Sequence, residues 1–216
     1  MDFEILSLPL YALSWYSKIG VNLIQILSYW DNWLLQQANS IVGYSSVFDK
    51  IVEYLGIGLV YLVPIILIGV WIYSSHTKKA ALQMLFSALL PMLANRLFAK
   101  FIWFRPRPFM VQSIDIKEVI FHRPDYSFPS DHAALFAALV MAAFLLGFKK
   151  LGWWFLGIGL VVVVTRVITG VHYPLDIIGG IISGVLAALL LNWLKGPLTK
   201  YVYNPIITVA HKIHLA

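Results

Sequence analysis

Apolar residues fill five stretches of the chain almost without interruption, roughly 51–73, 79–101, 133–148, 151–169 and 175–194. A helix needs about 20 mainly apolar residues to cross a bilayer, so the pattern predicts five spans. The third is short and gains length from the polar turn before it or from tilt. Gly56, Gly58, Pro64, Pro91, Gly157 and Gly159 fall inside these runs, where membrane helices tolerate them and use them for close packing. Ile5 to Trp30 is long enough for a sixth span, but Lys18, Asn22 and Gln25 make one polar stripe at i, i+4 and i+7. The stripe suits an interfacial helix about as well as a span that turns it toward the bundle; we expect the span. There is no small-residue cleavage site of the signal-peptide kind.

The short polar connections set the orientation. Lys78 and Lys79, Lys149 and Lys150, and Lys195 and Lys200 alternate with the other connections along the chain. They therefore share one face, which the positive-inside rule makes cytoplasmic. The long connection 102–132 and the short one around 170–174 fall on the opposite face, where two distant polar stretches can meet.

Composition agrees with an all-α, polytopic membrane helix bundle of five or six transmembrane helices. The 216 residues are 60% hydrophobic and only 12% charged, against about a quarter charged in soluble domains. The formal net charge of +6 is accounted for by cytoplasmic loops. No basic face interleaved with exposed aromatics points to nucleic acid. The absence of cysteine excludes disulfides, thiolate ligands and a cysteine nucleophile.

Three polar stretches stand out against this background. "AKFIWFRPRPF" ends a span with Lys100, Arg105 and Arg107. The proline after each arginine disfavours helix there and sets both guanidinium forks, which match phosphate oxygens, on a stiff turn. "SFPSDH" places Ser130, Asp131 and His132 at a helix start. Ser130 and Asp131 suit a cap, but a cap has no use for imidazole, and a helix N-terminus also binds anions. "TRVITGVHYPLD" puts Arg166 near the end of one span, and His172 and Asp176 at the start of the next. Asp176 lies one turn beyond His172, where a carboxylate holds an imidazole N–H and frees the other nitrogen to attack or take a proton. His132, His172, Asp131 and Asp176 could ligate zinc, but a cluster of Lys and Arg repels a divalent cation and draws in a phosphoryl group. The expectation is an anion site, in which either histidine could be the nucleophile, with the Asp partner favouring His172.

Lys100, six residues, Arg107-Pro108; then Pro129-Ser130-Asp131-His132; then Thr165-Arg166, five residues, His172, three residues, Asp176: this resembles the three-part signature of the type 2 phosphatidic acid phosphatases. The resemblance implies that His172 is a nucleophile forming a phosphohistidine, that Asp176 orients it, and that His132 protonates the leaving oxygen. It implies that Lys100, Arg107, Ser130 and Arg166 hold the phosphoryl oxygens, with neither metal nor other cofactor. Thr165 stands where the family has serine and Asp131 where it has glycine. The forms "SFPSDH", "RPRPF" and "GVHYPLD" are similar to the family's short bacterial undecaprenyl-diphosphatases. They imply a lipid diphosphate as substrate and a bacterial plasma membrane, with the site on the extracytoplasmic face. Phosphatidate or phosphatidylglycerophosphate hydrolysis, lipid phosphotransfer, and transport of an anionic headgroup are the alternatives. Asp131, beside Arg105 or Arg107, is expected to hold a guanidinium for a second phosphate and so to tune selectivity. The expected division is an N-terminal hydrophobic extension 1–30, a membrane phosphatase domain 31–200 and a cytoplasmic tail 201–216.

Overall fold

The computed structural model describes residues 23–112, 114–118 and 124–213. Helix α1 is Leu23–Asn39; α2, Ser46–Gly58, continues through a 3₁₀ turn at Leu59–Tyr61 into α3, Leu62–Tyr73. Then follow α4, Lys78–Phe101; α5, Asp131–Leu145; α6, Lys149–Ile168; and α7, Pro174–Trp193. A short helix α8, Lys195–Leu198, leads through a π turn at Thr199–Tyr203 to α9, Asn204–Lys212. Ser46–Tyr73, α4, α6 and α7 are each long and apolar enough to cross a membrane, and α5 is a shorter apolar helix. These are the five expected spans. Residues 5–22, most of the Ile5–Trp30 segment expected as a sixth span, lie outside the described residues. The break at Leu59–Tyr61 has a local cause: Pro64 has no N–H to give Val60, and its ring crowds that carbonyl.

Helix α5 is the centre of the bundle. It buries Ala133, Ala134, Ala138, Leu139, Ala142 and Ala143 and packs on α4, α6 and α7, most extensively on α7. Small side chains let helices approach closely in lipid, where apolar surface alone gives no driving force. On α7, a Cβ at Gly180 would lie 2.3 Å from the Ser130 carbonyl oxygen, and one at Gly184 would lie 2.2 Å from that of Ala134. The 15 residues of α5 rise only about 22 Å, less than the ~30 Å hydrocarbon core. Its polar start is therefore drawn toward the bilayer and covered by the 102–130 connection.

Helix α1 lies across one end of the bundle. Its buried residues are Asp31, Leu35 and Asn39, spaced by one turn each, while Leu23, Ile24, Leu27 and Leu34 are exposed. Asp31 Oδ1 accepts from the Leu175 N–H at the start of α7 (2.8 Å), and Asn39 Nδ2 donates to the Ile168 carbonyl at the end of α6 (2.9 Å). Both contacts are with the same end of the bundle, although they are eight residues, about 12 Å, apart on α1. The helix runs without a break through residue 30.

The lysine-rich connections meet at the other end, around a cavity of about 260 Å³ lined by His76, Lys79, Phe148, Lys195 and Tyr203. Tyr203 is buried and donates to Gln83 of α4 at 2.8 Å, which ties the last segment to the bundle. The parity read from the sequence is reproduced: lysine connections at one end, the 102–130 and 169–173 connections at the other.

The α5–α7 contact gives a direct test. Gly184→Val forces a side chain into the α5 backbone, and overpacking costs about 1–3 kcal/mol. Thermal unfolding in detergent is expected to show a clear loss of stability for this variant. Gly157→Ala, where nothing lies within 4 Å, is expected to melt like the parent.

Candidate active site

The two described ends of the 102–130 connection lie together at the bundle end because their extended edges pair. Pro106 and Tyr126 form an isolated antiparallel bridge, and the Ser127 N–H donates to the Arg105 carbonyl at 2.8 Å. Prolines at 106 and 108 keep the arginines extended, so Arg105 and Arg107 point into the bundle end and not along a helix. Ser130 caps α5, its Oγ accepting from the Ala133 N–H, and its own N–H donates to the Asp176 carbonyl at 3.0 Å. Pro174 opens α7, which sets Asp176 in the first turn and His172 just before it.

Asp176 is fully buried, and its carboxylate accepts three hydrogen bonds. Oδ1 accepts from Arg105 at 2.7 Å, and Oδ2 accepts from the Tyr173 N–H at 2.9 Å and from the Ser127 hydroxyl in a short bond. His172 Nδ1 lies 3.5 Å from Oδ2, long for a hydrogen bond but close enough to fix the ring electrostatically. The far nitrogen, Nε2, faces Arg107 at 3.2 Å. A guanidinium has donors and no acceptor, so Nε2 carries the lone pair and Nδ1 the proton. The tautomer follows from this arrangement: an unprotonated Nε2 aimed at an arginine, with its other side backed by a carboxylate. Burial, reinforced by the Arg107 charge and opposed by Asp176, pulls the His172 imidazole down to about 4.

A second arginine faces the second histidine. Arg166 is buried, donates to the Gly56 carbonyl at 2.7 Å, and faces His132 Nε2 at 3.0 Å. Its Nε is buried without a hydrogen-bond partner. Arg107 also binds Asp125 at 2.7 Å and the Val171 carbonyl at 3.1 Å. The structure thus gathers Arg107, Ser130, His132, Arg166, His172 and Asp176 at one bundle end. Lys100 is exposed at the end of α4, its ammonium 5.0 Å from the Phe101 ring centroid.

One expected contact is not formed. Asp131 holds neither Arg105 nor Arg107: its Oδ1 accepts from Asn95 at 3.1 Å and its Oδ2 from Tyr126 at 2.6 Å. Its side chain falls on the α4 side of α5, and there it pins the 102–130 connection to the bundle. Burial, with the Asp131 carboxylate, raises the Tyr126 pKa and keeps this phenol a donor. Arg105, expected to offer a fork to a second phosphate, spends both terminal nitrogens on carboxylates: NH1 on Asp176 and NH2 on Asp31 at 2.5 Å. It also stacks 3.8 Å from the Tyr173 ring centroid.

Asp31 is therefore a buried partner of the site that sequence reasoning did not find. It is buried, and it holds the arginine that holds the carboxylate behind His172. Ser127 has the same standing. A lone aspartate in the tryptophan-rich stretch "YWDNW" is costly to bury in a membrane protein without a partner, and that was the available signal. Among the described residues, no three His, Asp or Glu side chains gather as a metal-ligand set.

A buried histidine–carboxylate pair ringed by arginines in an apolar helix bundle suits a membrane phosphatase. Residues 80–200 match the PAP2 superfamily, and the chain belongs to it. It is 31% identical over 150 residues to the "Bacitracin transport permease protein BcrC" of Bacillus licheniformis, covering 68% of this chain and 72% of that protein. It is 28% identical over 148 residues to the "Undecaprenyl-diphosphatase BcrC" of Bacillus subtilis, covering 68% and 75%. The fold is similar to the crystal structure of a transmembrane PAP2 type phosphatidylglycerolphosphate phosphatase from Bacillus subtilis. There the TM-score is 0.59 at 22% identity, over 89% of this chain and 96% of that one.

Two outcomes are expected from this geometry. Asp31→Asn leaves Arg105 with one anionic partner and lets Asp176 shift. It is expected to lower kcat about ten- to a hundredfold, since misplacement by about 1 Å costs up to that much, with KM little changed. A lowered melting temperature with kcat intact would make Asp31 a structural residue only. Secondly, burial disfavours the imidazolium, so His172 loses its proton below the ordinary 6.5 and is neutral at pH 6. Nitrogen NMR of labelled histidine, assigned with His172→Gln, is expected to show a neutral ring at that pH. A ring titrating near 6.5 would contradict it.

Proposed function

We propose that this protein hydrolyses undecaprenyl diphosphate to undecaprenyl phosphate and inorganic phosphate through a phosphohistidine on His172. The observation that carries the reading is the direction of the His172 ring, lone pair toward Arg107 and N–H toward Asp176. An oriented nucleophile held against a cation is what phosphoryl transfer requires. In the first step, Nε2 forms a bond to the terminal phosphorus as the bond from phosphorus to the bridging oxygen breaks, and His132 gives that oxygen its proton. In the second, His132 takes a proton from water as the water oxygen attacks the phosphohistidine and releases phosphate. Arg107, Arg166, Ser130 and Lys100 hold the phosphoryl oxygens. Arginines that already ring the site neutralise the developing charge, which supports a reaction without metal.

The choice of lipid rests on the motif forms and on the relative named as an undecaprenyl-diphosphatase. Phosphatidate, phosphatidylglycerophosphate or a lipid phosphoryl acceptor would use the same nucleophile with a different leaving or accepting group. Transport of an anionic headgroup would need the arginines but not a carboxylate-oriented imidazole. The lysine-rich end supports a site on the extracytoplasmic face of a bacterial plasma membrane.

Phosphate release by the purified protein tests the substrate. We expect kcat/KM for undecaprenyl diphosphate to exceed that for phosphatidate and phosphatidylglycerophosphate by at least about tenfold, with a chelator leaving the rate unchanged. A preference for a monophosphate lipid would overturn the substrate, and chelator loss restored by a divalent ion would overturn the metal-free reaction. Reporters fused after Lys79 or Lys149 are expected to read cytoplasmic, and one within 112–125 extracytoplasmic; the reverse would move the site to the other face.

A further inference from the structure

The cavity of about 260 Å³ at the lysine-rich end has no part in the chemistry at the other end. Three basic side chains line it, His76, Lys79 and Lys195, and all three are exposed. Its buried side is polar without charge. Gln83 lies one turn beyond Lys79 on α4, and its Oε1 accepts from the Tyr203 hydroxyl at 2.8 Å, so its amide N–H groups remain as donors. Thr199 and Tyr203 come from the π turn, a rare geometry that collects at functional sites. No acid opposes the cations: the sequence has no Asp or Glu in residues 54–114, 132–175 or 177–216, and every lining residue falls in these stretches. A cleft lined by one sign of charge focuses the field on an ion of the other, and ammonium and amide donors suit oxyanions.

The surroundings of the cavity are those of a membrane surface. Tyr73 and Trp193 end two of the spans and are exposed, three residues before His76 and two before Lys195. Aromatic rings at span ends mark the headgroup level. Ile206 and Val209 of α9, and Ile213 just after it, are exposed at i, i+3 and i+7, with His211 and Lys212 beside them. That is the pattern of a helix lying in the interface. We propose that the cavity binds the phosphate-bearing headgroup of an anionic phospholipid in the leaflet at the lysine-rich end. Lys79 and Lys195 meet the phosphate oxygens, and Gln83 and Thr199 donate to the headgroup. The volume holds roughly nine groups of about 30 Å³ each, which admits a phosphate and a small headgroup but not two acyl chains; these stay in the bilayer. The site does not depend on which lipid is hydrolysed at the other end.

Native mass spectrometry of the purified protein in detergent, titrated with phosphatidylglycerol or with phosphatidylcholine, tests the site. The first phosphatidylglycerol is expected to bind at least about tenfold more tightly than phosphatidylcholine, since each lysine near an anionic lipid is worth about fivefold. Lys79→Gln combined with Lys195→Gln is expected to lose that preference. Lys149→Gln combined with Lys150→Gln removes the same charge from the same end, from exposed side chains that do not line the cavity, and is expected to keep it. Any lipid held at the other end is common to all three proteins and cancels in the comparison. Equal affinity of the unaltered protein for the two lipids overturns the site. Equal losses in the two double variants overturn it as well, because they reduce it to attraction by surface charge. A large excess of inorganic phosphate is expected to leave the lipid bound; its displacement would assign the cavity to free phosphate and overturn the lipid.

Discussion

A carboxylate with no exposure to solvent is stable only if its lone pairs are used, and Asp176 uses them on partners from two parts of the chain, one of them braced by a third. Ser127 and Arg105 come from the connection after α4, the Tyr173 N–H from the turn before α7, and Arg105 is itself held by Asp31 of α1. Removing any of these leaves a buried polar group short of a partner. The requirement explains why a surface helix, a proline-stiffened connection and two membrane helices converge at one point. It also explains why His172 has a defined orientation: the carboxylate beside its Nδ1 cannot move without breaking the others.

The glycines of α7 complete the frame. Gly180 and Gly184 bring the α7 backbone against α5, so that the Ser130 N–H reaches the Asp176 carbonyl. One close contact between helices thus sets the distance between the motif that carries His132 and the one that carries His172. Packing in the membrane and chemistry at its surface are the same constraint seen at two depths.

Much of this was legible in the sequence. Apolar runs and lysine-bearing connections gave five spans and their parity, because a bilayer leaves few other ways to place such runs. His132, Arg166, His172 and Asp176 were visible as polar residues at span ends, where each is costly without a use. Contacts across long sequence separations were not visible. Asp31 meets Arg105 across 74 residues, and no spacing rule reports such a pair. Asp131 was expected beside the arginines, but which face of α5 it occupies depends on how the helix is rotated against α4, and its partner is Asn95. The polar stripe read at Lys18, Asn22 and Gln25 also missed the next one, since Asp31 and Asn39 bracket Leu35 on a face that the apolar pattern alone would assign to the core.

The account turns on His172 as the atom that receives phosphorus. The direct measurement is a rapid acid-free quench of the protein with substrate labelled in its terminal phosphate, followed by peptide mapping of the trapped label. We expect an acid-labile phosphoryl group on the peptide containing His172, formed and lost at rates compatible with turnover. A label on His132, or turnover with no protein-bound phosphoryl group at all, would contradict it.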